Sequence, residues 1–425
     1  MIDNKSSIIN KIIYEKKLTF ISCLLSVIVL PVYVYYLPPL MILWGLSWLI
    51  ENNFKFKKSM FLHNKPAVLF ILFITLVLWQ MVGLFYAHSL SSGLERMVKR
   101  LSFILFPLVL FCPSDIIVRK IKLFIRLFAI FTLIHIAFCF GNAIHNSLHI
   151  QEAIWKFNPH PVDYDYENFF FGNRFSVLIH PSYLAMYVLL SLLISFEFVT
   201  DKTLKVYKRM LWSIAIVVFL IVLYLLSSRS SFLAVGIVIP LFFFLKYYKK
   251  LPRIVTLLFV ILLITSIVFA IRQHDRIKYS KDGVTKGNIT EVLKNDIRYS
   301  IWKSAYGVIK HNFVLGVGTG DASDALKKEF ITRGYVNGLY DNLNAHNQYL
   351  ETLLENGIIG LFIFLSILGY MIYITFSEKN LLFGMFILMI LIFFFFETIL
   401  NRLSGISFFA LFSFLLIYFK TKVKP

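Results

Sequence analysis

Three side chains in this sequence carry a charge or a titratable nitrogen that could serve chemistry. Arg229 stands in Leu226-Ser227-Ser228-Arg229-Ser230-Ser231, at the junction of two apolar runs. A guanidinium at membrane depth is costly unless paired, and its planar fork fits phosphate oxygens; a carbonyl cluster or Glu397 is the competing partner. Arg298 lies in Asp296-Ile297-Arg298-Tyr299-Ser300-Ile301-Trp302, where Ile297, Ile301, Ala305 and Val308 share one face of an amphipathic helix. Taken alone, an arginine there is an ordinary surface charge. His346 opens His346-Asn347-Gln348-Tyr349-Leu350-Glu351, which leads to Gly357. An imidazole with an unperturbed pKa near about 6.5 is mostly neutral at pH 7 and can take a hydroxyl proton, although it can equally cap a helix.

Other candidates carry less. Glu397 follows four phenylalanines at the end of an apolar run, where it can pair with an arginine or orient a substrate. Glu197, near the other membrane face, reads as a snorkelling carboxylate. His145 and His149 have the i, i+4 spacing of a helical metal pair, yet no third ligand is spaced to join them. Gly316-Val317-Gly318-Thr319-Gly320 lacks the Gly-Lys-Ser/Thr of a phosphate-binding P-loop. Cys23, Cys112 and Cys139 sit in or beside apolar segments without paired spacing, which suits packing rather than disulfides or metal.

The elements that must position these groups follow from composition. Of 425 residues, 58% are hydrophobic and 16% charged, too little polar surface for a water-soluble shape. Apolar runs near the length needed to cross roughly 30 Å of hydrocarbon recur at 66–86, 121–144, 180–199, 210–226, 232–248, 254–271, 357–376, 381–397 and 403–419. Residues 18–50, broken by Pro31 and Pro38-Pro39, read as two short helices joined by a turn; 94–112 reads as one tilted span. The expectation is an all-α polytopic membrane protein of about 12 transmembrane helices, organised as residues 1–271 (spans one to nine), a long polar loop domain at 272–356 containing amphipathic helices, and 357–425 (the last three spans).

The net charge of +20 raises the question of nucleic acid, and its distribution answers it. The basic residues crowd into both termini and the loops on their side, which the positive-inside rule makes cytoplasmic. The excess is thus a topology signal and a match to anionic membrane lipids, with no nucleic-acid role. No cleavable signal peptide is evident, because the first apolar segment continues into a second. The long loop, with the active-site candidates, then faces the non-cytoplasmic side. A second loop on that side, 145–179, mixes Trp155, Tyr164, Tyr166 and Phe169 to Phe171 with Asp163, Asp165, Glu167 and Arg174. Such a mixture suits sugar rings, and it suits the lipid headgroup layer equally.

The sequence resembles the O-antigen ligase and polymerase superfamily of lipid-linked glycan transferases. Four places carry the resemblance: the Ser-Ser-Arg229-Ser junction; Asp296-Ile297-Arg298 with Trp302 and the glycine run; His346-Asn347-Gln348-Tyr349-Leu350 with Gly357 after ten intervening residues; and Glu397-Thr398-Ile399-Leu400 with Gly405. One departure is that Phe313-Val314-Leu315 stands where the family often has a proline before the glycines. The resemblance implies a GT-C-like enzyme of the bacterial inner membrane. It would transfer a glycan from undecaprenyl diphosphate to an acceptor hydroxyl at the periplasmic face, with inversion, and without metal or cofactor. Arg229 and Arg298 would hold the donor diphosphate, and His346 would orient or deprotonate the acceptor. Asn347, Tyr349, Glu397, Arg174 and His180 would support the site or bind the acceptor. The histidine-to-glycine spacing resembles the ligase pattern, with the lipid A-core of lipopolysaccharide as acceptor. A repeat polymerase comes next, then a protein O-oligosaccharyltransferase, and from another class a lipid-linked sugar flippase or transporter.

Overall fold

The computed structural model describes residues 17–51, 64–151, 154–161, 167–247, 297–335 and 344–419. The first two helices, α1 (Lys17–Val32) and α2 (Leu37–Glu51), are joined by a tight turn at Val34–Tyr36, as the prolines require. The carboxylate that ends α2 returns to the start of α1, where Glu51 accepts from the N–H groups of Leu18 (2.7 Å) and Thr19 (2.9 Å). Those donors would otherwise be orphaned in the first turn.

Next come α3 (Lys65–Leu84), α4 (Leu90–Arg100), α5 (Ser102–Leu110), the short α6 (Asp115–Arg119) and α7 (Ile121–Ser147). The tilted span expected over 94–112 is two helices abutting at Leu101, whose own backbone is helical. Leu90, Leu94, Val98 and Leu101 form an exposed apolar stripe on this pair, whereas Arg100 is buried. The polarity is that of a helix lying against lipid with Arg96 and Arg100 turned inward and Glu95 paired with Lys99 at the surface. After α7 the chain turns into a hairpin of β1 (Leu148–Gln151) and β2 (Ile154–Phe157), with Leu148 opposite Phe157 and Ile150 opposite Trp155. Among the described residues the all-α expectation is therefore interrupted by one two-stranded hairpin, whose first strand, Leu148-His149-Ile150-Gln151, alternates apolar and polar residues. Because α7 ends at Ser147, His145 and His149 lie on different elements and do not form a helical pair.

The second half comprises α8 (Gly172–Phe175), α9 (Pro181–Thr200), α10 (Val206–Leu225), α11 (Arg229–Tyr247), α12 (Ile297–His311), α13 (Ala322–Thr332), α14 (Gln348–Glu378), α15 (Leu381–Phe396), a 3-10 turn at Ile399–Asn401 and α16 (Leu403–Leu415), extended by a 3-10 turn at Leu416–Tyr418. Helix α9 is buried along most of its length while α10 exposes most of its surface, so α9 is the axis of the bundle and α10 a lipid-facing wall. Small polar residues fill the helix contacts, among them Ser102 with Ser407 (3.0 Å) and Ser22 with Ser47 (3.4 Å), as close packing in lipid favours. The three cysteines are buried, and none forms a disulfide among the described residues.

Among the described residues, seven helices are long and apolar enough to cross a membrane, and Lys17–Val32, Leu381–Phe396 and Leu403–Tyr418 are shorter apolar ones. The span expected at 254–271 lies outside the described residues, as does the first part of the polar loop.

Ion pairs fix which helix ends lie together. Lys246 near the end of α11 meets Glu197 near the end of α9 at 2.9 Å, so these helices run parallel and Arg229 begins α11 at the end of the bundle where His180 precedes α9. Glu197 is thus paired rather than merely snorkelling. The groove between the second half of α11 (Leu241, Leu245) and the first half of α15 (Leu381, Gly384, Leu388) makes α15 antiparallel to α11, which brings Glu397 to that same end. At the opposite end Lys65 binds Glu378 at 2.6 Å.

Candidate active site

The loop before α14 is shaped by its own polar side chains. Asn344 Oδ1 accepts from the backbone N–H of His346 (2.9 Å) and from Thr398 Oγ1 (2.9 Å), which holds His346 at a φ of 45°, a conformation few non-glycine residues adopt. Asn347 caps α14 by accepting from Leu350 N–H (3.0 Å) and donates from Nδ2 to the Phe395 carbonyl (3.0 Å). Trp302 on α12 donates to the Ala345 carbonyl (3.0 Å).

Nine residues into α14 the helix breaks at Gly357, with φ 63° and ψ −171°. A Cβ there would collide with the Val314 carbonyl. The glycine run docks against this break: Val317 N–H donates to Leu354 O (2.9 Å) and Gly318 N–H to Glu355 O (3.1 Å). The Asp321 carboxylate receives the N–H of Ser89 (3.0 Å) and of His88. This loop is a clasp between α3, α4 and α14 and not a phosphate cradle. Phe313-Val314-Leu315 joins the same clasp through Ile358 N–H to Phe313 O (2.9 Å) and Tyr86 Oη to Leu315 O (2.7 Å).

Against this frame the charged groups converge on Glu397. One carboxylate oxygen lies 3.9 Å from Arg298 Nη2 and accepts from Ser182 Oγ (3.1 Å). The other lies 3.5 Å from His346 Nδ1. That separation is at the long edge of a hydrogen bond, and such contacts shorten in occupied sites. Burial raises the Glu397 carboxyl, but His346, His180 and Arg298 outweigh it and hold the group below the ordinary carboxylate range. His180 caps α9, its Nδ1 accepting from Ser182 N–H at 3.4 Å. Burial pushes its imidazole below the usual value, against the pull of Glu397, so it is neutral at pH 7. The chemistry available is a carboxylate-oriented imidazole beside a guanidinium, at the mouth of a membrane bundle.

Of the sequence-derived candidates, Arg298, His346, Glu397 and His180 come together. Arg229 begins α11 at the same end of the bundle, and its side chain lies outside the described residues. Arg174 is bound to Glu167 within the 145–179 loop. Tyr349 has its hydroxyl on the Leu391 carbonyl (3.3 Å) and its ring against Phe394. It and Asn347 are scaffold in their contacts.

Several residues escaped the sequence reading. Glu351 and Glu355, one turn apart on α14, meet Arg96 and Arg100, one turn apart on α4: Arg96 lies 3.4 Å from each carboxylate and Arg100 binds Glu355. Glu351 also accepts from Ala345 N–H (3.0 Å) and Asn401 Nδ2 (2.7 Å), which ties the peptide ahead of His346 to α4 and to the turn before α16. The matching i, i+4 spacings were the available signal. Arg402 was missed as well: its guanidinium lies over the Tyr183 ring, 5.9 Å from the centroid.

A search of curated proteins returned no match for the chain. Residues 214–365 match the family described as O-antigen ligase, and the matched segment contains Arg229, Arg298, His346 and Gly357. Over that segment, about a third of its length, this multi-pass helical chain is similar to the O-antigen ligase family.

Proposed function

We propose that this protein transfers a glycan from undecaprenyl diphosphate to the lipid A-core of lipopolysaccharide at the periplasmic face of the bacterial inner membrane, with both termini cytoplasmic. The observation that carries the reading is the Glu397 carboxylate standing between Arg298 (3.9 Å) and His346 (3.5 Å). With Nδ1 turned to Glu397, Nε2 is the nitrogen left to accept a proton. The acceptor hydroxyl oxygen attacks the anomeric carbon and gives its proton to Nε2. The bond from that carbon to the diphosphate oxygen breaks, and its electron pair leaves on the diphosphate. Direct displacement inverts the centre. Arg298 and Arg229 stabilise the charge that develops on the leaving group, an electrostatic effect strengthened where water is scarce. Guanidinium groups supply the neutralisation without metal, so chelation with EDTA is expected to leave transfer unchanged.

The test is reconstitution in vesicles with purified lipid-diphosphate glycan and lipid A-core acceptor. Transfer that is abolished by His346→Ala supports the reading. Translocation of the donor without bond exchange would replace it with a carrier. The acceptor is resolved by the lipopolysaccharide of a deletion strain run on a gel. Loss of long chains with accumulation of lipid-linked polymer marks a ligase, whereas cores bearing one repeat mark a polymerase.

A further inference from the structure

Arg402 follows the 3-10 turn at Ile399–Asn401 and occupies the N-cap position of α16. Its side chain is exposed and lies over the ring of Tyr183 in the first turn of α9. An aromatic face fixes a guanidinium without consuming its hydrogen-bond donors. The platform belongs to the candidate site: Tyr183 Oη donates to the Thr398 carbonyl (3.4 Å), and Thr398 Oγ1 donates to the same Asn344 oxygen that holds the His346 backbone. Glu397 is five residues upstream, and His180 feels the charges of both Glu397 and Arg402. Among the described residues no carboxylate lies within ion-pair distance of Arg402, whereas Arg298 shares its charge with Glu397. The mouth therefore holds a seated cation whose charge is not offset by a carboxylate.

We propose that Arg402, seated on Tyr183, binds a phosphoryl oxygen of the lipid-linked donor's diphosphate, as a further guanidinium beside those already assigned to it. This rests on the transfer reading above. Phosphoryl oxygens are also presented by bulk phospholipid headgroups, so the measurement must separate the two sources. Its primary readout is the Kd of the full-length protein for an undecaprenyl diphosphate glycan, measured by direct binding in phosphatidylcholine vesicles and again with phosphatidylglycerol added.

One charge-assisted contact corresponds to roughly a tenfold to hundredfold change in affinity. Arg402→Gln is expected to weaken the donor Kd by that factor in both vesicle types and to weaken inhibition by inorganic diphosphate in parallel. Acceptor KM stays unchanged. Arg402→Lys restores part of the affinity, because a point charge lacks the fork. Because Arg402 is exposed, thermal unfolding of the variants should match the parent. A donor Kd that is unchanged, or changed only when anionic lipid is present, overturns the proposal and leaves a headgroup anchor. The two levels separate in the parent protein: donor translocated without bond exchange sinks the transfer reading, while the Kd of Arg402→Gln continues to report on the diphosphate contact.

Discussion

Replacing Glu397 by Gln removes one charge while keeping shape, and the geometry predicts a slower chemical step together with tighter donor binding. The amide can still accept from Ser182 Oγ, now 3.1 Å from the carboxylate, and the backbone N–H of residue 397 still donates to Phe393 O, so the fold is retained. What is lost is the anion facing His346 Nδ1 at 3.5 Å, which favours the correct tautomer and stabilises the imidazolium formed during proton transfer. General acid–base assistance contributes about 10²–10⁴-fold, and kcat is expected to fall on the order of 10²-fold. Donor KM should fall as well, which partly offsets the loss in kcat/KM. At 4 Å the attraction of Glu397 for Arg298 is at most about 4 kcal/mol at an effective dielectric of 20. Both side chains are reached by solvent, which cuts the net value to around 1 kcal/mol. Released from that pull, Arg298 binds diphosphate more tightly, and donor KM drops by about fivefold. The assay is steady-state transfer in vesicles, with donor varied at saturating acceptor. A kcat within twofold of the parent would refute the orienting role. A donor KM that rises would show Glu397 touching the donor itself.

Further expectations follow from the scaffold. Glu355→Leu leaves Arg100 buried without its carboxylate, and should cost about 3–5 kcal/mol of stability. The double variant with Arg100→Leu should recover most of it in thermal unfolding in detergent, and a double variant no more stable than the single would sink the pairing argument. Gly357→Ala places a Cβ against the Val314 carbonyl at a φ of 63°, so it is expected to lose at least about 2 kcal/mol together with transfer activity. Gly141→Ala, with nothing near its Cβ, should be neutral or stabilising by up to about 1 kcal/mol. The pH dependence has a definite sign. His180 is depressed in the folded protein, so the unfolded chain binds more protons; the stability it contributes is complete above about pH 6.5 and declines as pH falls below that. Glu397 is also depressed and adds a second loss below about pH 4.3. Unfolding temperature should fall from pH 7 to 5.5, and His180→Asn, which keeps a capping side chain, should flatten that slope; a variant with the parent's slope would contradict it.

Hydropathy and local patterning made most of the architecture legible before any coordinates. The two-helix reading of 18–50, the spans at 66–86, 121–144 and 180–199, and the amphipathic face of Ile301, Ala305 and Val308 are all present. These signals are local: an apolar run or a 3.6-residue period needs no knowledge of what lies across the bundle. The same holds for the length between His346 and Gly357, which measures a helix from its Asn347 cap to a break that glycine accommodates without strain. The hairpin at 148–157 was within reach too, had its alternation been weighed against the helix before it.

The grouping of the charges was decided by tertiary packing. Glu397 and His346 were separate suspects in the sequence, and nothing in their spacing says that one carboxylate reaches both Arg298 and His346. That depends on α15 running antiparallel to α11, on Trp302 seating α12 beside the Asn344 loop, and on the break at Gly357. The inward charges of α4 were hidden for a related reason. In a soluble helix a polar face signals water, but beside lipid the apolar stripe faces outward and Arg96 and Arg100 turn to Glu351 and Glu355. Sequence records which residues prefer to avoid water; only the packed bundle determines which of the remaining polar groups must satisfy one another.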